Sequence, residues 1–150
     1  MKNALILGAG LVARPLIRYL LDHDVAVTQA TRTLAKAQAM IAGHPNGTAV
    51  ALDMSEVEEG ERLPGLVREA DVVVSLLPYE FHPKVAKLCL EAGKSMVTTS
   101  YVSDEMRALD AVAREKGLLF INECGLDPGL DHMSAMKVIH DVRARGGEVK

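Results

Sequence analysis

Ala4-Leu5-Ile6-Leu7-Gly8-Ala9-Gly10-Leu11-Val12-Ala13, at the start of a 150-residue chain, is the stretch that decides the fold. Ala4 to Leu7 is an unbroken apolar run, as in a strand buried on both faces. The glycines that follow allow a tight turn and let a phosphate group approach the backbone. From Leu11 to Asp22, Leu16, Ile17, Leu20 and Leu21 recur at helical spacing. A helix starting near Leu11 would aim its unpaired amides and the positive end of its dipole at that phosphate. Ala13 stands where a third glycine is common, and it is small enough for close helix–strand packing.

Working outward, the same alternation repeats. Strands are expected at Val25 to Ala30, Thr48 to Leu52, Asp71 to Leu77, Ser95 to Thr98 and Leu118 to Ile121. Helices are expected from a Thr33 cap to about Ala42, after Pro64, from Pro83 to Ala92, and from Asp104 to Lys116 behind a Ser103 cap. Strands alternating with helices predict an α/β fold, a doubly wound parallel sheet of the Rossmann type. The tail breaks the rhythm: Gly125 to Gly129 reads as a loop and Leu130 to Arg145 as a long helix. The domain assignment is therefore 1–125 for the dinucleotide-binding unit and 126–150 for a linker and helix leading into a further domain.

Ligands of such sheets bind beyond the C-terminal strand ends. The cofactor-binding candidates are Gly8, Gly10, Leu11, Val12 and Ala13 in the turn, Arg32 and Thr33 after the second strand, Asp53 after the third, and Leu77 and Pro78 after the fourth. An acid about 20 residues after the glycines would bind the free 2′-hydroxyl of NAD. Here Thr31-Arg32-Thr33 occupies that place, and Arg32 can pair with a 2′-phosphate, so the expected cofactor is NADP(H). Asp53 could touch the adenine or cap the next helix. The unusual polar and aromatic residues after the later strands, among them Ser100, Tyr101 and Asp127, fall on the same edge and point to an enzyme.

Composition narrows the classes. There is no run of ~18 apolar residues for a membrane helix, and no basic cluster for nucleic acid. A net charge of −3 with 49% apolar residues fits a soluble domain with a packed core, and Gly8-Ala9-Gly10 interrupts any signal-peptide apolar region after about five residues, so the expected location is cytoplasmic. Cys89 and Cys124 fit no disulfide framework or zinc spacing, and no metal site is expected. No Tyr-x-x-x-Lys exists for short-chain dehydrogenase chemistry, and Val12 breaks a methyltransferase-like Gly-x-Gly-x-Gly.

Five motifs resemble the saccharopine dehydrogenases of the NADP-dependent, glutamate-forming kind: Gly8 to Pro15, Arg32 to Ala35, Leu76-Leu77-Pro78-Tyr79-Glu80-Phe81-His82, Val97 to Tyr101, and Asn122 to His132. The resemblance implies that glutamate condenses with 2-aminoadipate 6-semialdehyde and NADPH reduces the imine to saccharopine, a step of lysine metabolism. It implies catalytic roles for Tyr101 and Asp127, with Ser100 also at the substrate, and a homodimeric whole protein. It places a family cysteine and the carboxylate-binding arginines beyond Lys150, so this chain is expected to be an N-terminal portion, inactive alone. Two alternatives stay open: a homospermidine synthase-like enzyme, and a non-catalytic nucleotide-sensing module.

Overall fold

The strands are β1 (Asn3–Leu7), β2 (Ala26–Thr31), β3 (Gly47–Ala51), β4 (Val72–Ser75), β5 (Ser95–Thr98) and β6 (Phe120–Ile121). The helices are α1 (Ala13–Asp22), α2 (Leu34–Ile41), α3 (Arg62–Glu69), α4 (His82–Ala92), α5 (Asp104–Ala108), α6 (Asp110–Glu115) and α7 (Leu130–Ala144). This is a computed structural model that describes residues 1–55 and 62–149; the acidic stretch before Pro64 lies mostly outside them. All strand pairs are parallel, in the order β3-β2-β1-β4-β5-β6. The order reverses between β1 and β4, and ligands of open α/β sheets sit at that switch point.

The period-two alternation of β1 assigns the two faces. Ala4 and Ile6 pack with Ala13, Ile17 and Leu21 of α1 and Ile41 of α2. Leu5 and Leu7 pack on the other side with Leu63 and Val67 of α3, Val85 and Cys89 of α4, and Met106 of α5. The first face is less fully covered. Beside α1, over β4 and β5, lies an apolar hollow of about 620 Å³ lined by Leu16, Leu20, Val72, Val74 and Val97. The long helix α7 has no buried residue.

Three local expectations change. Helix α1 begins at Ala13 rather than near Leu11, with Val12 at its cap, so Leu11 and Val12 belong to the turn. Thr33 stands at the start of α2 but its side chain makes no capping bond, whereas Ser103 does, accepting from the Met106 amide at 3.2 Å. The helix expected from Asp104 to Lys116 is two helices. At Leu109 the amide reaches back only three residues, to the Met106 carbonyl at 3.2 Å, a tighter step that bends the chain.

Candidate functional site

The glycine turn is built largely from backbone. Gly8 adopts φ 102°, and a Cβ there would stand 2.7 Å from the Leu76 carbonyl oxygen, so only glycine lets the turn lie against the end of β4. The Gly8 amide donates to Ala30 O at 2.9 Å. Its carbonyl accepts from Gln29 Nε2 at 2.6 Å. In a trans peptide the N–H points opposite to the C=O. Gln29 therefore holds the Gly8–Ala9 peptide with the Ala9 amide turned away from the core. Gln29 is fully buried, and its Oε1 has no hydrogen-bond partner. At Gly10 a Cβ would meet no protein atom within 4 Å. The fold leaves that space free, as a bound phosphate would require. Leu11 and Val12 are exposed, while Ala13 is buried under the turn.

Beside the turn lies a cavity of about 330 Å³. The expected residues Arg32, Thr33, Asp53, Leu77 and Pro78 line it together with Ala9. Lys36, one helical turn after Arg32, adds a second cation that the sequence reading missed. Asp53 accepts from the Ser55 amide at 3.0 Å and the Ser55 hydroxyl at 2.7 Å. The amide bond first, then the hydroxyl, hold its carboxyl below the usual range against a smaller opposing effect of desolvation, and Arg32 lowers it further. Asp53 closes a local turn at the cavity and does not cap α3, which begins at Arg62. The residues present fit a dinucleotide carrying a 2′-phosphate: a glycine turn with room beside it and a pocket bearing two cations and hydroxyls.

The loops after β5 and β6 form the other rim. Tyr101 Oη donates to Asp127 Oδ1 at 2.7 Å. That bond first, then burial and the charges of Asp127, Asp131 and Glu123, raise the phenol above its usual pKa, so its proton is retained at neutral pH. The Tyr101 ring meets His132 edge-on, with centroids 6.4 Å apart. Asp127 does not cap α7. Gly129 occupies the cap position, and its amide donates to Asp131 Oδ1 at 2.9 Å. Asp127 also shares a cavity of about 330 Å³ with Val12 of the glycine turn, Thr99 and Cys124, which connects the two rims. Ser100 turns its hydroxyl inward to His82 Nε2 at 2.8 Å.

Among the described residues, no three His, Cys, Asp or Glu side chains come together to hold a metal ion. No described helix is long and apolar enough to cross a membrane.

Comparison with known proteins agrees with this geometry. The chain is 44% identical to the NADP(+), L-glutamate-forming saccharopine dehydrogenase of Pyricularia oryzae, over 99% of this chain and 32% of that protein. It is 38% identical to the mitochondrial alpha-aminoadipic semialdehyde synthase of Mus musculus, over 99% of this chain and 16% of that one. The solved L-Glu-forming saccharopine dehydrogenase of Saccharomyces cerevisiae superposes with a TM-score of 0.83 at 41% identity, covering 100% of this chain and 33% of its own. The chain thus spans about a third of the length of the glutamate-forming relatives it matches. Residues 4–121 match the family described as saccharopine dehydrogenase NADP binding domain. With its glycine turn, acid-free second strand and Arg32–Lys36 pocket, this chain belongs to that family.

Proposed function

We propose that this chain is the NADP(H)-binding portion of a reductase that interconverts saccharopine with L-glutamate and 2-aminoadipate 6-semialdehyde. The observation that carries the reading is the Tyr101–Asp127 hydrogen bond at 2.7 Å, on a rim that shares a cavity with the glycine turn. NADPH would lie along the turn, held by Gly8, Gly10, Leu11, Val12 and Ala13, with its 2′-phosphate at Arg32, Thr33 and Lys36; when bound it supplies hydride. The protein's own groups manage protons. Condensation of an amine with an aldehyde requires water to leave, and a departing hydroxyl needs an acid. Tyr101, kept protonated by Asp127, is such an acid, and Ser100 lies beside it in the chain. Residues 1–125 act as the nucleotide unit, and residues 126–150 lead toward the part that holds most of the substrate. The whole protein is proposed to be a cytoplasmic homodimer.

The test is kinetic and uses the complete polypeptide. Tyr101→Phe and Asp127→Ala should each lower kcat by ~10²–10⁴-fold, the range of a lost general acid–base group. NADPH affinity should stay near wild type. If both variants keep their rate and lose only melting temperature, the pair is structural and the reading fails. Residues 1–150 alone should show no turnover; full activity from them would refute the two-part organisation.

A further inference from the structure

Beneath the Tyr101 rim lies a buried imidazole that the chemistry above does not use. His82 opens α4 and is 2% exposed. Its Nδ1 is 2.9 Å from Ser75 Oγ at the end of β4. Its Nε2 is 2.8 Å from Ser100 Oγ and 2.9 Å from Thr98 Oγ1. Burial disfavours the charged ring, against a smaller opposing pull from Glu80. A neutral ring carries one N–H and one lone pair, and hydroxyls rotate to donate or accept, so it can be matched from both sides. The β4–β5 ladder ends at the pair Ser75 and Thr98. His82 carries the tie two residues further, to Ser100.

That extension bears on Tyr101. The Ser100 carbonyl accepts from the Glu123 amide at 3.0 Å, and the Glu123 carboxylate accepts from the Val102 amide at 3.2 Å. Tyr101 is thus held between two fastened neighbours. The Glu123 fastenings come from an exposed loop, whereas His82 reaches out of the core. A histidine facing three hydroxyls costs more to bury than an aliphatic side chain, and two strands already in register do not need it. We propose that His82 is a positioning residue: through Ser100 it sets the backbone that presents Tyr101 to Asp127. The proposal rests on the Tyr101–Asp127 reading for its kinetic consequence, but not for its structural one.

The experiment uses two amide variants of the complete polypeptide. A glutamine amide reaches the position of Nε2 and can still meet Ser100; an asparagine amide reaches only the position of Nδ1 and meets Ser75. Both remove the ring. In the first arm, the tyrosinate absorbance that Tyr101→Phe abolishes is followed against pH. The phenol faces Asp127, Asp131, Glu123 and His132. In His82→Asn its midpoint should fall toward that of ordinary tyrosine; in His82→Gln it should stay raised. In the second arm, His82→Asn should lower kcat about 10- to 100-fold, the cost of a misplaced catalytic group, with KM for NADPH unchanged. His82→Gln should recover most of that loss. An unmoved Tyr101 midpoint in His82→Asn, or equal kinetic losses in the two variants, overturns the proposal. Should His82→Asn not fold, Ser100→Ala removes only the hydroxyl at the loop end and should give the same fall in both arms. If the wild-type protein leaves saccharopine untouched while the His82 variants show the stated midpoint behaviour, the functional reading is defeated and the positioning role stands.

Discussion

The two ends of the crevice are made of different material. At the nucleotide end the determinants are backbone and core: Gly8 against Leu76, a buried Gln29 on the Gly8 carbonyl, and Ala13 packed beneath. At the Tyr101 end they are exposed side chains on loops. Tyr101 and Asp127 hold each other, and no residue of α7 is fully buried. Packing is cooperative and hard to deform, whereas exposed hydrogen bonds contribute little net free energy each. The first end is therefore finished by these residues alone. The second is held in outline and depends on anchors such as His82.

The sharpest way to break that comparison is to put a side chain on each glycine. Gly8→Ala would force a Cβ to 2.7 Å from a strand carbonyl, at a φ that alanine rarely adopts. It should cost about 3 kcal/mol or more of stability in denaturant unfolding. At Gly10 a Cβ meets no protein atom within 4 Å, so the stability of Gly10→Val should stay within about 1 kcal/mol of wild type while dinucleotide binding is abolished. Equal destabilisation by both, or NADPH binding intact in Gly10→Val, would show that the turn is not built around a phosphate.

The cavity beyond β2 offers a smaller effect. Arg32→Ala should weaken NADPH binding by about 1.5–3 kcal/mol, as for a lost charge-assisted contact, and leave NADH almost unchanged. Lys36→Ala should do the same by less, because an exposed lysine is a mobile point charge. Titration of both nucleotides against each variant checks this, and discrimination unaltered in Arg32→Ala removes the 2′-phosphate from that pocket.

The sequence was legible where one physical cause dominates. Apolar runs located β1 and β4, the alternation of strands with helices and their glycine and proline stops located the other strands, and glycine with small-residue spacing located the turn. The edges were harder. The break at Leu109 arises from one short-range hydrogen bond that no residue type announces. Thr33 reads as a cap, yet its side chain makes no capping bond. Within the site, Arg32 was visible as a missing acid, whereas Lys36 required knowing that α2 turns it into the cavity. Gln29 had a signal, a lone amide inside a buried strand, but its partner is a backbone carbonyl 21 residues away. His82 stood in a quoted motif without a role, since its three hydroxyl partners come from β4, β5 and the loop after β5.

His82 also makes the core end of this system sensitive to pH. Burial lowers its folded pKa below the ordinary 6.5. Well above 6.5 the ring is neutral in both folded and unfolded chains and contributes no pH dependence. As pH falls from there toward the depressed folded value, the unfolded chain takes up the proton first, and stability declines by at most about 1.4 kcal/mol per pH unit. His82→Gln should remove that part of the slope. An unchanged slope between pH 6.5 and 5 would mean the ring is solvated, and would weaken the contrast between the anchored core and the exposed rim.

His132 should show the opposite sign and a smaller size. Its Nδ1 is 2.8 Å from Asp131 Oδ1, and that hydrogen bond, followed by the Asp131 charge, raises its pKa above 6.5. A raised folded pKa contributes stability that is fully present below the unfolded value and is lost as pH rises through the folded one. The pair lies on the surface, so salt should screen much of the effect. Asp131→Asn isolates the charge, because an amide oxygen can still accept from the Gly129 amide at the start of α7. Proton NMR titration at low salt should place the His132 midpoint above that of an ordinary imidazole, and Asp131→Asn should bring it down. Added salt should lower it in wild type and move it less in the variant. A midpoint that ignores both Asp131→Asn and salt would mean that the imidazole and the carboxylate do not interact in solution, and the pair could no longer be counted among the contacts that hold the exposed rim.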